Sequence, residues 1–149
     1  MTTTFRSDVT AGVVAILQAQ QAATPDKLRA VYSSRPGSFP ELPAAYIGNA
    51  DERITYSGQL RTRTMVGMTA VLVDVYADSI ESGDRLDVLV DLLVERFTTA
   101  YAQVSGGGSI LALSSVSDTE VEVSGVNGPI LYRGVILGFG ESFITEGRT

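Results

Sequence analysis

The chain has no cysteine and no histidine. These two absences remove thiol nucleophiles, disulfides and imidazole general bases, and with them the usual zinc and iron sites. Lysine is nearly absent as well. Lys27 stands alone at the start of a loop, so the many serines have only that amine or a carboxylate as a potential base. No apolar run approaches the ~20 residues needed to cross a membrane. The opening "MTTTFRSDVT" lacks the apolar segment of a signal peptide. The expectation is a soluble protein with no membrane partner, made in a cytoplasm. Positive charge is also scarce: the formal net charge is −6 and the pI about 4.5. A protein that binds nucleic acid by neutralising phosphates usually needs a basic face. Arg61 and Arg63 are the one candidate for such a patch, and they read more simply as two solvated strand arginines.

What is present is ordinary for a globular protein. The 149 residues fit one domain spanning the whole chain, 44% of them are hydrophobic, and the mean hydropathy is +0.17. Ser7 and Asp8 form an N-cap pair before "VTAGVVAILQAQQAA", whose Val9, Val13, Ile16 and Leu17 share one helical face. Ala11, Ala15, Ala19 and Ala22 make a small-residue flank suited to close packing, and Pro25 ends the helix. A short strand is expected over 28–33, then a loop over 36–43, where three prolines and a glycine fall in eight residues. "AAYIGNA" is again extended.

The stretch "ERITYSGQLRTRTMVGMTAVLVDVYADS" predicts a hairpin turning at Ser57-Gly58-Gln59. Its second arm is mostly polar over 60–64 but apolar on both faces over 65–75. A strand with two apolar faces must be covered on both, so one long strand is expected to project at one end and run through the centre at the other. A second helix is expected over 85–101, capped by Ser82 and Asp84. After the connector "VSGGGS" come three β segments, "ILALSSV", "TEVEVSGV" and "PILYRGVILGFGES", the last two joined by an Asn127-Gly128 turn. The fold class is α+β, with two main helices packed on a mostly antiparallel sheet.

The second helix has too much apolar surface. At ~100° per residue Leu86, Val90, Leu93 and Phe97 cluster on a core face with Leu89 beside them. Asp84, Asp87, Asp91 and Glu95 form an acidic stripe roughly opposite. Val88 and Leu92 lie beyond that stripe and Val94 on its other flank, which widens the apolar arc to roughly 240° where ~100° suffices. Burying Val88 and Leu92 would be worth about 1.5–3 kcal/mol each. Two covers are open: a loop over 36–50 folding across this flank, or a neighbouring copy. The two-sided strand also points to a subunit interface, which is the reading adopted. The stripe reads as a solvated face, and helical spacing does not build the oxygen-rich loop that calcium needs. As an interface it could meet Arg61, Arg63 or Arg133 of a neighbour, fixing register more than affinity.

No catalytic, cofactor or metal constellation emerges, and the expectation is a non-enzyme. Gly106-Gly107-Gly108 is followed by no Lys-Ser or Lys-Thr and opens no helix, so it is not a phosphate loop. Gly138 and Gly140 flank Phe139 at a strand end, where close packing or a bulge accounts for them. Glu120 and Glu122 alternate with Val121 and Val123 and face solvent along a strand.

The order of these pieces resembles a known family. A helix is followed by "LRAVYSSRPGSFPELPAAYIG", an arginine-bearing strand ending "VLVDVYADS", a helix with "LDVLVDLL" and a closing "YRGVILGFGES". This is similar to the tail terminator proteins of long-tailed bacteriophages, particularly those of actinobacteria, over nearly the whole chain. The resemblance implies a structural virion protein, assembled in the host cytoplasm, that forms a hexameric ring on the head-proximal end of the tail tube. Such a ring ends tube polymerisation and offers a joining surface to head-completion or connector proteins. Its partners are its own copies, the major tail tube protein and the head-completion protein, and DNA passes through its bore without sequence-specific binding. A closed ring is a heterologous assembly in which each subunit shows two different faces. By analogy "SGQLRTRT" would project toward the tube or the bore. The alternatives are another neck or tail component, either a head-completion adaptor or a tube-like protein, and a small ligand-binding α+β domain.

Overall fold

The computed structural model describes residues 5–76, 79–100 and 112–147. The connector "VSGGGS" lies outside them. The elements run α1 (Phe5–Ala23), β1 (Ala30–Tyr32), β2 (Ala44–Ile47), β3 (Asp51–Ser57), β4 (Leu60–Val66), β5 (Thr69–Val75), α2 (Ser79–Ala100), β6 (Leu113–Gly125), β7 (Gly128–Phe139) and β8 (Ser142–Gly147). The strands form two sheets, one ordered β1-β2-β5-β7-β6 and the other β3-β4-β8. All pairings are antiparallel except β1 with β2. The fold is therefore α+β with two helices on mostly antiparallel β structure.

The single long strand expected over 60–75 is two strands in different sheets, β4 and β5. Gly67, with φ of 62°, supplies the left-handed backbone that turns one into the other. The partner strand breaks at the same level, between Phe139 and Ser142. The register does not slip across the break. Thr69 faces Gly138 on one side and Met65 faces Ser142 on the other, four residues along on both strands. Two long strands thus bend together, and the part beyond the bend, with β3 added, is a three-stranded arm.

On one face of the five-stranded sheet lie both helices. Phe5, Val9, Val13, Ile16 and Leu17 of α1 and Leu86, Leu89, Leu93 and Phe97 of α2 pack on Ala45, Ile47, Ala70, Leu72, Val135 and Leu137. Met65 and Met68 bracket the bend and are fully buried in this core, so the kink is itself packed. Arg96 donates from Nε to the Gln20 side-chain oxygen at 2.7 Å, joining the helices through a buried amide. The alanine flank of α1 faces solvent instead of another element.

The other face of the sheet corrects an expectation. Ala44, Tyr46, Val71, Val73, Val121 and Val123 form a second core there, covered by the proline-rich loop and not by a neighbouring copy. Phe39 is the plug. Its ring stands edge-on to Tyr132 at 5.1 Å and Tyr32 at 6.4 Å, and stacks on Tyr46 at 5.9 Å. Both faces of β5 are therefore satisfied within one chain, and the two-sided strand does not argue for an interface. The loop covers this sheet face and leaves the flank of α2 open.

Other boundaries moved too. Helix α2 begins at Ser79, which places Ser82 and Asp84 inside it and not at its cap. From Leu113 on, the end of "ILALSSV" and the stretch "TEVEVSG" belong to one strand from Leu113 to Gly125, irregular only between Leu113 and Ser115. The turn that follows is made by residues 126 and 127, with Gly125 opposite Gly128.

Removing the plug should cost what a large aromatic costs in a core, about 3–5 kcal/mol for Phe39→Ala. At this chain length that corresponds to a melting temperature lower by roughly 6–20 °C, at about 2–4 °C per kcal/mol, measurable by calorimetry. Tyr46 gives a second readout. Burial raises its phenol above the ordinary tyrosine value, and the nearby Arg35 charge partly opposes that. A raised folded-state value stabilises the fold fully below the unfolded value near 10, and the contribution is lost as pH rises through the folded one. Absorbance titration should show a late-ionising tyrosine, and Tyr46→Phe should abolish that step.

Candidate assembly surfaces

Helix α2 divides as its spacing predicts. Leu86, Leu89, Leu93 and Phe97 point inward, and Val90 packs at the edge of the core. Asp84, Asp87, Asp91 and Glu95 are all exposed. Val88 is 46% exposed and Val94 39%, whereas Leu92 between them is half-buried. The flank that should be covered is thus open in the single chain, and Val88 lines a small groove of about 300 Å³ with Asp26, Lys27, Glu81, Asp84 and Arg85.

One buried carboxylate fixes how α2 lies on the sheet. Asp74 of β5 is 1% exposed and holds Arg85 through two bonds, Nε to Oδ2 at 2.8 Å and Nη2 to Oδ1 at 3.0 Å. The Val75 amide adds a third donor to the same carboxylate. Arg133 of β7 reaches the helix from below. A Cβ at Gly83 would stand 2.3 Å from its Nη1, so a larger residue there would push the guanidinium aside. Arg133 thereby lies against its own α2, beside Asp87, in a groove of about 680 Å³.

The two arginines of the arm lie on the other sheet. Arg63 is half-buried and donates to Glu52 from Nε at 2.6 Å and from Nη2 at 3.1 Å, with its guanidinium 6.0 Å from the centre of the Phe5 ring. Arg61 is half-buried one pleat further out, opposite Tyr56 and Glu146. The candidate residues therefore fall into two groups. Val88, Leu92 and the four carboxylates share α2, and Arg61 and Arg63 sit on β4, which packs with β3 and β8.

Sequence reasoning missed a second set of exposed apolar side chains on this arm. Ile54, Tyr56, Leu60 and Phe143 are 46–60% exposed. By register Ile54 and Tyr56 share a face with Arg63 and Arg61, while Leu60 and Phe143 belong to the opposite face. The signal was present in "ERITYSGQL", where apolar and polar residues alternate without any element left in the sequence to cover them. The notably larger groove, about 880 Å³, runs along α1 between Arg6, Thr10, Val14, Ser33, Gly48 and Arg63. Its walls are largely exposed side chains, so it is a shallow furrow.

Among the described residues no three acidic side chains are grouped so as to hold a metal ion, and no helix is long and apolar enough to cross a membrane. No protein-family model and no curated protein matches this chain.

Because Asp74 is buried and Arg85 is 42% exposed, breaking the pair should cost less than a fully buried one, about 1–3 kcal/mol for Arg85→Ala. Denaturant midpoints check this. A double variant, Asp74→Asn with Arg85→Ala, should recover part of the loss by removing the stranded charge.

Proposed function

We propose that this chain is a structural subunit that forms a ring on the head-proximal end of a bacteriophage tail tube, ending its growth and joining it to the head. The observation that carries the reading is the presence of two unlike apolar surfaces. One is the outer side of α2, where Val88 and Val94 flank a stripe of carboxylates, and the other is the arm, which exposes Ile54 and Tyr56 on one face and Leu60 and Phe143 on the other. A two-fold dimer needs one self-complementary patch, whereas a closed ring needs two different ones. Isolated exposed apolar residues are common, but clusters of them on a helix and on a projecting sheet favour association.

The resemblance to tail terminators in element order, length and soft sequence features supplies the rest of the proposal. The partners would be further copies of the chain, the tube protein below and a head-completion protein above, with DNA threading the bore. The role is mechanical and calls for no catalytic group. A ligand-binding domain would instead converge its apolar excess on an enclosed pocket with a few polar groups. Here the excess points outward.

The test is solution mass by light scattering over protein concentration and salt, with electron microscopy of large species. A closed ring of about six copies supports the proposal. Val88→Glu should leave circular dichroism unchanged and abolish the ring. Leu92→Glu should do the same at a further cost in stability, since that residue is half-buried. If Val88→Glu unfolds the isolated chain, the flank is ordinary core and the interface reading fails.

A further inference from the structure

Strand β6 is the outermost strand of the five-stranded sheet and one of its two longest. It pairs with β7 on one side only. Thr69 exchanges backbone bonds with residues 48 and 49, so odd-numbered residues of β5 face β2 and even-numbered ones face β7. Carried across β7 by the register, this turns the backbone groups of Val116, Asp118, Glu120 and Glu122 outward, away from β7. Among the described residues one side chain meets that edge: the Arg35 guanidinium donates to the Glu122 carbonyl oxygen. No described strand pairs with the rest.

An open strand edge is a template for another strand, and proteins usually blunt it with a lysine, a proline or a short length. From Leu113 to Gly125 there is neither lysine nor proline. The charges present are acidic. Asp118, Glu120 and Glu122 are exposed, in line on one face, and Asp87 of α2 adds a fourth carboxylate above them. The Glu120 carboxylate also accepts a bond from the Tyr76 hydroxyl at 3.2 Å. Arg133 is the one basic residue lining that groove, so carboxylates outnumber it.

These charges select the occupant. Two copies joined through β6 would set acidic rows against each other, which is destabilising across a strand pair. Nor do the described residues offer a fitting strand of the chain's own. Its one basic pair at strand spacing on a described strand, Arg61 and Arg63, lies on β4, which is already paired on both sides. We infer that the outer edge of β6 binds an extended basic segment of a different protein, which adds as a further strand with alternate lysine or arginine side chains over Asp118, Glu120 and Asp87. Within the chain, the Arg35 guanidinium already takes up one outward carbonyl of this edge, that of Glu122. Main-chain bonding supplies the affinity and the charges supply selection. This inference does not depend on ring formation.

The test uses the full chain and a short end-blocked peptide alternating lysine with threonine, with a glutamate-threonine peptide as control. Amide resonances across 116–122 should shift on addition of the basic peptide, and added salt should weaken its binding. The acidic peptide should leave these resonances unmoved. Asp118→Lys with Glu120→Lys should weaken binding by at least about tenfold. Asp118→Pro removes an outward amide without touching the ladder to β7 and should weaken binding comparably, with circular dichroism unchanged. The inference is overturned if the basic peptide fails to bind or if its shifts map to the arm. It is equally overturned if the variants bind as before, or if 116–122 instead pairs two copies in a concentration-dependent dimer. Ring assembly, read separately by light scattering, should survive both β6 variants.

Discussion

The bend shared by two paired strands organises everything else in this structure. At Gly67 the chain leaves one sheet and enters another, and its partner does so at the same level without slipping. A slip of one residue would have turned every side chain of the arm to the opposite face. Keeping register lets Met65 and Met68 close the core on both sides of the kink. It also leaves the arm with a fixed assignment of residues to faces. Ile54, Tyr56, Arg61 and Arg63 fall on the face that begins against α1, and Leu60 and Phe143 on the other. The position of the arm and the composition of its surfaces both follow from that one constraint.

The rest of the molecule divides into covered and uncovered apolar surface, and the division does not follow hydrophobicity alone. Strand β5 is enclosed over residues 70–74, by helices on one face and by the Phe39 loop on the other, and only its end at Val75 reaches solvent. Helix α2 has fewer apolar residues on its outer side, yet Val88 and Val94 remain in solvent. Charged pairs fix the geometry between these regions. Asp74 and Arg85 set the helix on the sheet, and Glu52 and Arg63 hold the base of the arm. Both pairs bind arginine through two of its nitrogens to one carboxylate, a geometry that orients as well as attracts.

Much of this was legible from residue spacing. The inward face of α1, the division of α2 and the hairpin at Ser57-Gly58-Gln59 follow from period and turn chemistry, because local preference and burial agree there. The errors fall where local signal is silent about distance. Nothing near Phe39 indicates that its ring will sit against Tyr132, so the covering of the second face could not be assigned to the loop. The pair Ser117-Asp118 is polar enough to resemble a break, and only its pairing with β7 makes it strand. The polar start of α2 hid its first turns for the same reason. For the candidate surfaces, exposure of Val88 could be anticipated from an arc too wide for one core. The arm's apolar residues had a signal too, in the alternation of "ERITYSGQL", but where those faces end up depends on the bend.

The Phe39 plug also has a consequence for how the chain reaches this state. Its ring contacts join the loop to β7 across more than ninety residues of sequence. Closing so long a segment costs entropy before any contact energy returns. The helix-side core spans the chain just as widely, since Phe5 and Val9 of α1 pack with Val135 and Leu137 of β7. Both cores therefore wait on β7, the strand that follows every element they cover. Until it is in place, Val71 and Val73 on one face of β5 and Leu72 on the other lie on an apolar sheet surface open to water, through which chains associate.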